Sequence, residues 1–99
     1  MLDFYLIFDD ETNPSYPEQA GLEYAGGISF NTFENIKNTG IIDPHFDYYS
    51  DFRWNSRMIK QICEKIKQKD IKTDTDVKLL LEILDKATHI NSGLIAYCD

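Results

Sequence analysis

The first regular pattern in the chain is a short, unbroken apolar run. Residues 4–8 read FYLIF and are closed by Asp9 and Asp10, which predicts a strand buried on both faces. From residue 10 to residue 27 the pattern breaks down at Asn13-Pro14, Tyr16-Pro17 and Gly26-Gly27. These are turn formers, and they predict a long loop with at most one helical turn near Pro17. An edge strand around residues 22–24 is the other reading of that stretch. Phe30, Phe33 and Ile36 then recur every three residues, predicting a short helix over 31–38 with Ser29 or Asn31 as its cap and Gly40 at its end. Residues 41–51 return to loop.

The second half of the chain is more regular. Apolar side chains at 54, 58, 59, 62, 63 and 66 predict an amphipathic helix over 54–69, with Arg57, Lys60, Lys65 and Lys67 on its polar side. Ser50, Asp51 and Asn55 are all candidate caps. Thr73 followed by Asp76 resembles a capping box, and Asp74 suits the positive end of a helix dipole, so a further helix begins there. Val77, Leu80, Leu81, Leu84 and Ala87 form one face of it, which Leu79, Ile83 and Ile90 widen. Such a helix should be nearly surrounded by protein. Asn91-Ser92-Gly93 ends it, and residues 94–97, LIAY, predict a second buried strand that pairs with the first. The expected fold is one α+β domain over residues 1–99. Its small sheet includes the N-terminal and C-terminal strands and packs on two longer helices and one short one.

Charge changes this picture more than composition does. The chain has 99 residues, 17 acidic and 10 basic, for a net charge of −7, and it is 42% hydrophobic, enough for a core. Residues 1–51 hold ten acids and one base, a net −9, whereas residues 52–99 hold seven acids and nine bases, a net +2. Phosphate backbones and anionic membranes call for a basic surface, so the acidic balance argues against both as partners. The N-terminal apolar run is far shorter than the ~20 residues of a spanning helix and lacks the basic flank of a signal peptide. A cytoplasmic protein with reduced Cys63 and Cys98 is expected.

Candidate chemistry is sparse. Asp9-Asp10-Glu11 at a strand exit resembles the acidic pair of receiver domains, and with Thr12 it resembles the Asp-x-Glu-Thr signature of proofreading exonucleases. Both families use such carboxylates on Mg²⁺, which leaves a Mg²⁺-dependent enzyme or phosphoacceptor as one alternative. Each match covers about four residues and the remaining family motifs are missing. Asp43, His45 and Asp47 alternate in a loop and with Asp9 or Glu11 could hold a hard metal ion, but a solvated loop histidine and a turn beginning at Asp43-Pro44 account for them better. No metal or other cofactor is expected. Cys63 falls on the apolar face of its helix, and no Ser-His-Asp set, glycine-rich phosphate loop or CxxC pair can be assembled.

Residues 43–54, DPHFDYYSDFRW, are the most unusual stretch, with Asp43, Asp47 and Asp51 at four-residue spacing among five aromatics. Tyrosine and tryptophan anchor interfaces and clustered carboxylates steer basic partners. Tyr48 and Tyr49 are expected at the surface and Trp54 in the core. The opening LDFYLIF, this segment with its SDFRW, the amphipathic helix, LLLEILDKA and the final GLIAYCD together resemble small bacterial immunity proteins. Those cytoplasmic inhibitors protect a cell from toxins, and the resemblance implies binding without catalysis and an acidic surface where the toxin is a basic nuclease. The expected partner is therefore a basic protein, a toxin domain by this resemblance. The expected contact surface is Asp43, Asp47, Tyr48, Tyr49 and Asp51, with Asp10 and Glu11 as auxiliaries. A structural adaptor subunit is the remaining alternative, and the sequence carries no signal for an oligomeric state.

Overall fold

The computed structural model describes residues 1–16, 18 and 21–98. Among these, the elements in chain order are β1 (Leu2–Ile7), β2 (Tyr24–Ile28), α1 (Phe30–Asn38), β3 (Phe52–Trp54), α2 (Ser56–Lys69), α3 (Thr75–His89) and β4 (Gly93–Cys98). The architecture is α+β. The four strands form one antiparallel sheet in the order β2-β1-β4-β3. The expected pairing of the two terminal strands holds, in a continuous register from Leu2 opposite Cys98 to Ile7 opposite Gly93.

Alternation along the strands decides which side the helices cover. Leu2, Phe4 and Leu6 of β1, Leu94 and Ala96 of β4, and Trp54 of β3 join one buried cluster with Phe33 and Ile36 of α1, Ile59, Ile62 and Ile66 of α2, and Leu80 and Leu84 of α3. All three helices therefore lie on the same face. Each fully buried Leu, Ile or Phe contributes roughly 1.5–3 kcal/mol, so this layer carries most of the stability. Trp54 is wholly buried, with its ring 5.4 Å from Phe4 and 5.2 Å from Phe52. Its indole N–H finds no hydrogen-bond partner, but Phe46 stands nearly perpendicular to it at 5.9 Å. Gly93 is fixed by closeness, because a Cβ there would lie 2.5 Å from the Trp54 carbonyl oxygen.

The caps resolve alternatives that the sequence left open. Ser29 caps α1 by accepting from the Thr32 N–H. Asn55 caps α2, and Trp54 lies in β3, so the helix starts two residues later than its apolar pattern predicts. Asp74, not Thr73, caps α3, accepting from the N–H groups of Asp76 and Val77. The Asp76 carboxylate is used elsewhere, accepting from the Thr32 hydroxyl at 2.9 Å and the Asn35 amide at 2.9 Å, which ties α3 to α1.

Three expectations need correcting. Gly26-Gly27 sits inside β2 instead of breaking the chain, since strand pairing with β1 outweighs the intrinsic turn preference of glycine. Helix α3 is less enclosed than its wide apolar face suggests, for Leu79 and the following Ile90 are exposed. β1 is not buried on both faces, because Asp3 and Tyr5 are only half-covered. The helical turn expected at Pro17 lies largely outside the described residues. No helix is long and apolar enough to cross a membrane among the described residues.

Candidate acidic-aromatic interface

The face of the sheet away from the helices has its own composition. By strand alternation it carries Asp3, Tyr5 and Ile7 of β1, Ile95 and Tyr97 of β4, and Arg53 of β3. Its lower part is strapped by residues 8–16. The Arg53 guanidinium donates to the Phe8 carbonyl at 2.6 Å, the Glu11 carbonyl at 2.7 Å and the Asn13 side chain at 2.6 Å. The Tyr97 hydroxyl donates to the Pro14 carbonyl at 2.9 Å. Ile7 and Ile95 on this face are buried, and Ile95 lines a recess with Asn13 and Pro14 of the strap.

Above the strap lies a row of tyrosines across three neighbouring strands. The Tyr5 ring is 5.4 Å from Tyr24 and 6.0 Å from Tyr97, edge-on to both. Tyr24 reaches this face only through a β-bulge. Gly27 pairs with Asp3 and Gly26 with Phe4, but Tyr5 pairs with Tyr24, so Ala25 is the extra residue. The bulge turns Ala25 into the core and Tyr24 outward, an instance of a bulge re-aiming a side chain. Gly26 makes this possible, with φ at +150° and no room for a Cβ, which would sit 2.8 Å from Ile83 Cγ1.

Two carboxylates lie beside the row, Asp3 on the central strand β1 opposite Tyr97 and Asp51 just before β3. Asp3 accepts from the Tyr24 hydroxyl at 3.1 Å. Asp51 accepts weakly from the Cys98 N–H at 3.4 Å and is close enough to Tyr97 to raise its pKa, a shift to which burial contributes most and which Arg53 opposes. Tyr49, in the preceding loop, is 69% exposed and leans on Phe30 at 5.7 Å.

The other residues singled out from sequence are dispersed. Tyr48 is buried, not exposed as expected, because Phe30, Phe33 and Tyr49 enclose it. Burial pushes its phenol upward in pKa, with smaller contributions from Cys98, Tyr49 and Asp3. Asp43 lies towards α2, where it lines a recess of about 190 Å³ with His45, Met58 and Lys65. It accepts from both the backbone and the ring of His45, which hold its carboxyl below the usual range. Asp47 folds back on the Tyr49 N–H. The strand-exit acids divide the same way. Glu11 accepts from the Phe8 N–H and closes its own turn. Asp9 is held low in pKa by the hydroxyl and N–H of Ser56, at 2.5 and 2.9 Å, at the start of α2. Asp10 is exposed. Among the described residues no three His, Cys, Asp or Glu side chains come together as a metal set.

The sequence reading missed Asp3, Tyr5, Tyr24 and Tyr97. The first two were legible in the alternation of Asp3 and Tyr5 with Leu2, Phe4 and Leu6, a signal lost when tyrosine is counted as apolar. Tyr24 was not, since its orientation depends on the bulge. Basic charge is gathered elsewhere. Arg57, Lys60 and Lys65 share one exposed surface of α2 with Gln61, Glu64 and Gln68, and residues 56–72 hold six bases and two acids, a net +4.

The fold has a solved counterpart. The Neisseria DNA mimic protein DMP12 aligns over 97% of this chain and 97% of its own, with a TM-score of 0.63 and 16% sequence identity. The two chains share a fold. No protein-family model and no curated protein sequence matches the chain.

Proposed function

We propose that this chain is a non-enzymatic binding protein that lays an acidic, tyrosine-bearing surface on a basic face of a partner protein, a face of the kind that grips a nucleic-acid backbone. The observation that carries this reading is the separation of charge. The −9 segment supplies β1, β2 and the loops around the sheet, while the bases collect on α2. Long-range attraction between such a surface and a basic partner raises the encounter rate and weakens with salt. The shared fold with a protein named as a DNA mimic supports the same chemistry, in which carboxylates stand where phosphates would. A DNA-binding protein and a nuclease toxin offer that surface alike. The narrower reading, an immunity protein that inhibits a basic toxin domain, is supported by the sequence resemblance to immunity proteins.

The test is competition. The tagged chain is used to capture a basic partner from source-cell lysate at low salt, and the purified partner is then loaded with fluorescent duplex DNA. Stoichiometric release of the DNA by the chain, with an apparent affinity that falls as salt rises, is the expected result. A partner that holds DNA and this chain together, with little salt dependence, would sink the proposal. Nuclease activity in the captured partner, blocked by the chain, would select the immunity form.

A further inference from the structure

We propose that the tyrosine row on the sheet face away from the helices, Tyr24, Tyr5 and Tyr97 with Asp3 and Asp51 beside it, is a cradle for arginine side chains of a basic partner segment. This rests on the binding function proposed above and names where and how the contact is made.

A guanidinium stacks on an aromatic face while donating from its edge to carboxylates. The sheet provides both kinds of group at that spacing. Three phenol rings stand on adjacent strands with centres 5.4 and 6.0 Å apart. Asp3, opposite Tyr97 in the strand register, is held by a 3.1 Å hydrogen bond from Tyr24, and Asp51 stands beside Tyr97 on the β3 side. The platform is pre-organised, because the rings brace one another edge-on and the Tyr97 hydroxyl is pinned to the Pro14 carbonyl. Such rigidity reduces the ordering cost of binding. The bulge at Ala25 is the second sign. Regular pairing would send Tyr24 into the core, and the chain instead uses a glycine at φ +150° to bring that ring, 51% exposed, into line with Tyr5. Bulges of this kind are features that sequences keep for a purpose. Charge selects the occupant: an arginine-bearing segment is complementary to this face, whereas a nucleic acid is repelled by Asp3, Asp51 and the acidic loops around them.

Amide chemical shifts of the isotopically labelled chain, titrated with deca-arginine and deca-lysine peptides at low salt, test this directly. The largest shifts should fall on Asp3, Tyr5, Tyr24, Asp51 and Tyr97, with arginine binding more tightly than lysine. Tyr24→Leu, on an exposed edge position, should weaken deca-arginine binding about 3- to 30-fold, the range expected for loss of one cation–π contact. Tyr24→Phe, which keeps the ring but releases Asp3 from its hydrogen bond, should weaken binding less than Tyr24→Leu does. An unchanged melting temperature shows that each variant is folded. Shifts confined to Asp43, Asp47 and Tyr49, with Tyr24→Leu silent, would overturn the cradle and leave the acidic binding function standing. Equal loss in Tyr24→Leu and Tyr24→Phe would also overturn it, by pointing to the hydroxyl. Absence of binding by either cationic peptide would remove the broader reading with it.

Discussion

The two faces of this one sheet solve different problems. The helix-covered face is filled with Leu2, Phe4, Trp54, Leu94 and Ala96 and contributes burial. The other face carries Asp3, Tyr5, Tyr24 and Tyr97, half-covered and joined by polar contacts and ring edges. The residues alternate within the same strands, so the period of the pleat separates the core from the proposed contact surface. Substitutions on one face should therefore leave the other largely untouched, and the bulge is the place where the two are coupled.

The largest effect should come from the covered face. Trp54→Ala should lower the unfolding free energy by about 3–5 kcal/mol, the usual cost of emptying a large aromatic site, read from urea denaturation. Next comes the coupling point. Gly26→Ala combines a positive φ with a clash against Ile83, so it should cost about 1–3 kcal/mol and also displace Tyr24. Loss of the Tyr24 hydroxyl contact to Asp3 should be visible in amide shifts, and unchanged shifts at Asp3 would separate the two faces completely. On the open face alone, Tyr24→Leu should change stability by less than about 1 kcal/mol, the scale of a cross-strand pair, while reducing binding of a basic segment.

The smallest effect concerns pH. Asp9 has a folded-state pKa below its ordinary 3.8 because Ser56 donates to it twice. Its stabilising contribution is therefore present above pH 3.8 and is lost as pH falls through the lower folded value. Melting curves of the native chain and Asp9→Asn should differ by a constant amount near pH 6 and converge in that acid window. Tyr48 and Tyr97 shift the other way, their folded pKa values raised above 10 chiefly by burial. Their contribution is present below pH 10 and is lost as pH rises through the folded values. In an absorbance titration these two phenols should ionise above pH 10.

Much of the fold was legible because it depends on local pattern. The apolar spacing at Ile59, Ile62 and Ile66 and the run from Val77 to Ala87 are helical at any reading, and the two terminal strands are short apolar runs that end at Asp or Gly. What escaped depends on partners distant in sequence. β3 is only three residues long and exists because Phe52 and Trp54 meet Ala96 and Leu94; taken alone, Trp54 fits the following helix equally well. β2 contains two glycines and is held by β1. The acidic-aromatic segment was conspicuous by composition, but composition does not say which side a ring takes. Tyr48 turned inward to Phe33, Asp43 went to α2, and only Asp51 joined the tyrosine row.

The basic stripe on α2 has a dynamic consequence. Residues 1–51 carry a net −9 and residues 56–72 a net +4, so the molecule is an electric dipole with its positive end at α2. Near a positively charged body such a dipole feels a torque as well as a pull. It turns the basic surface of α2 away before contact, and the orientational search that slows most protein encounters is shortened. Reversing Lys60 and Lys65 would add negative charge and strengthen the pull, yet erase the torque.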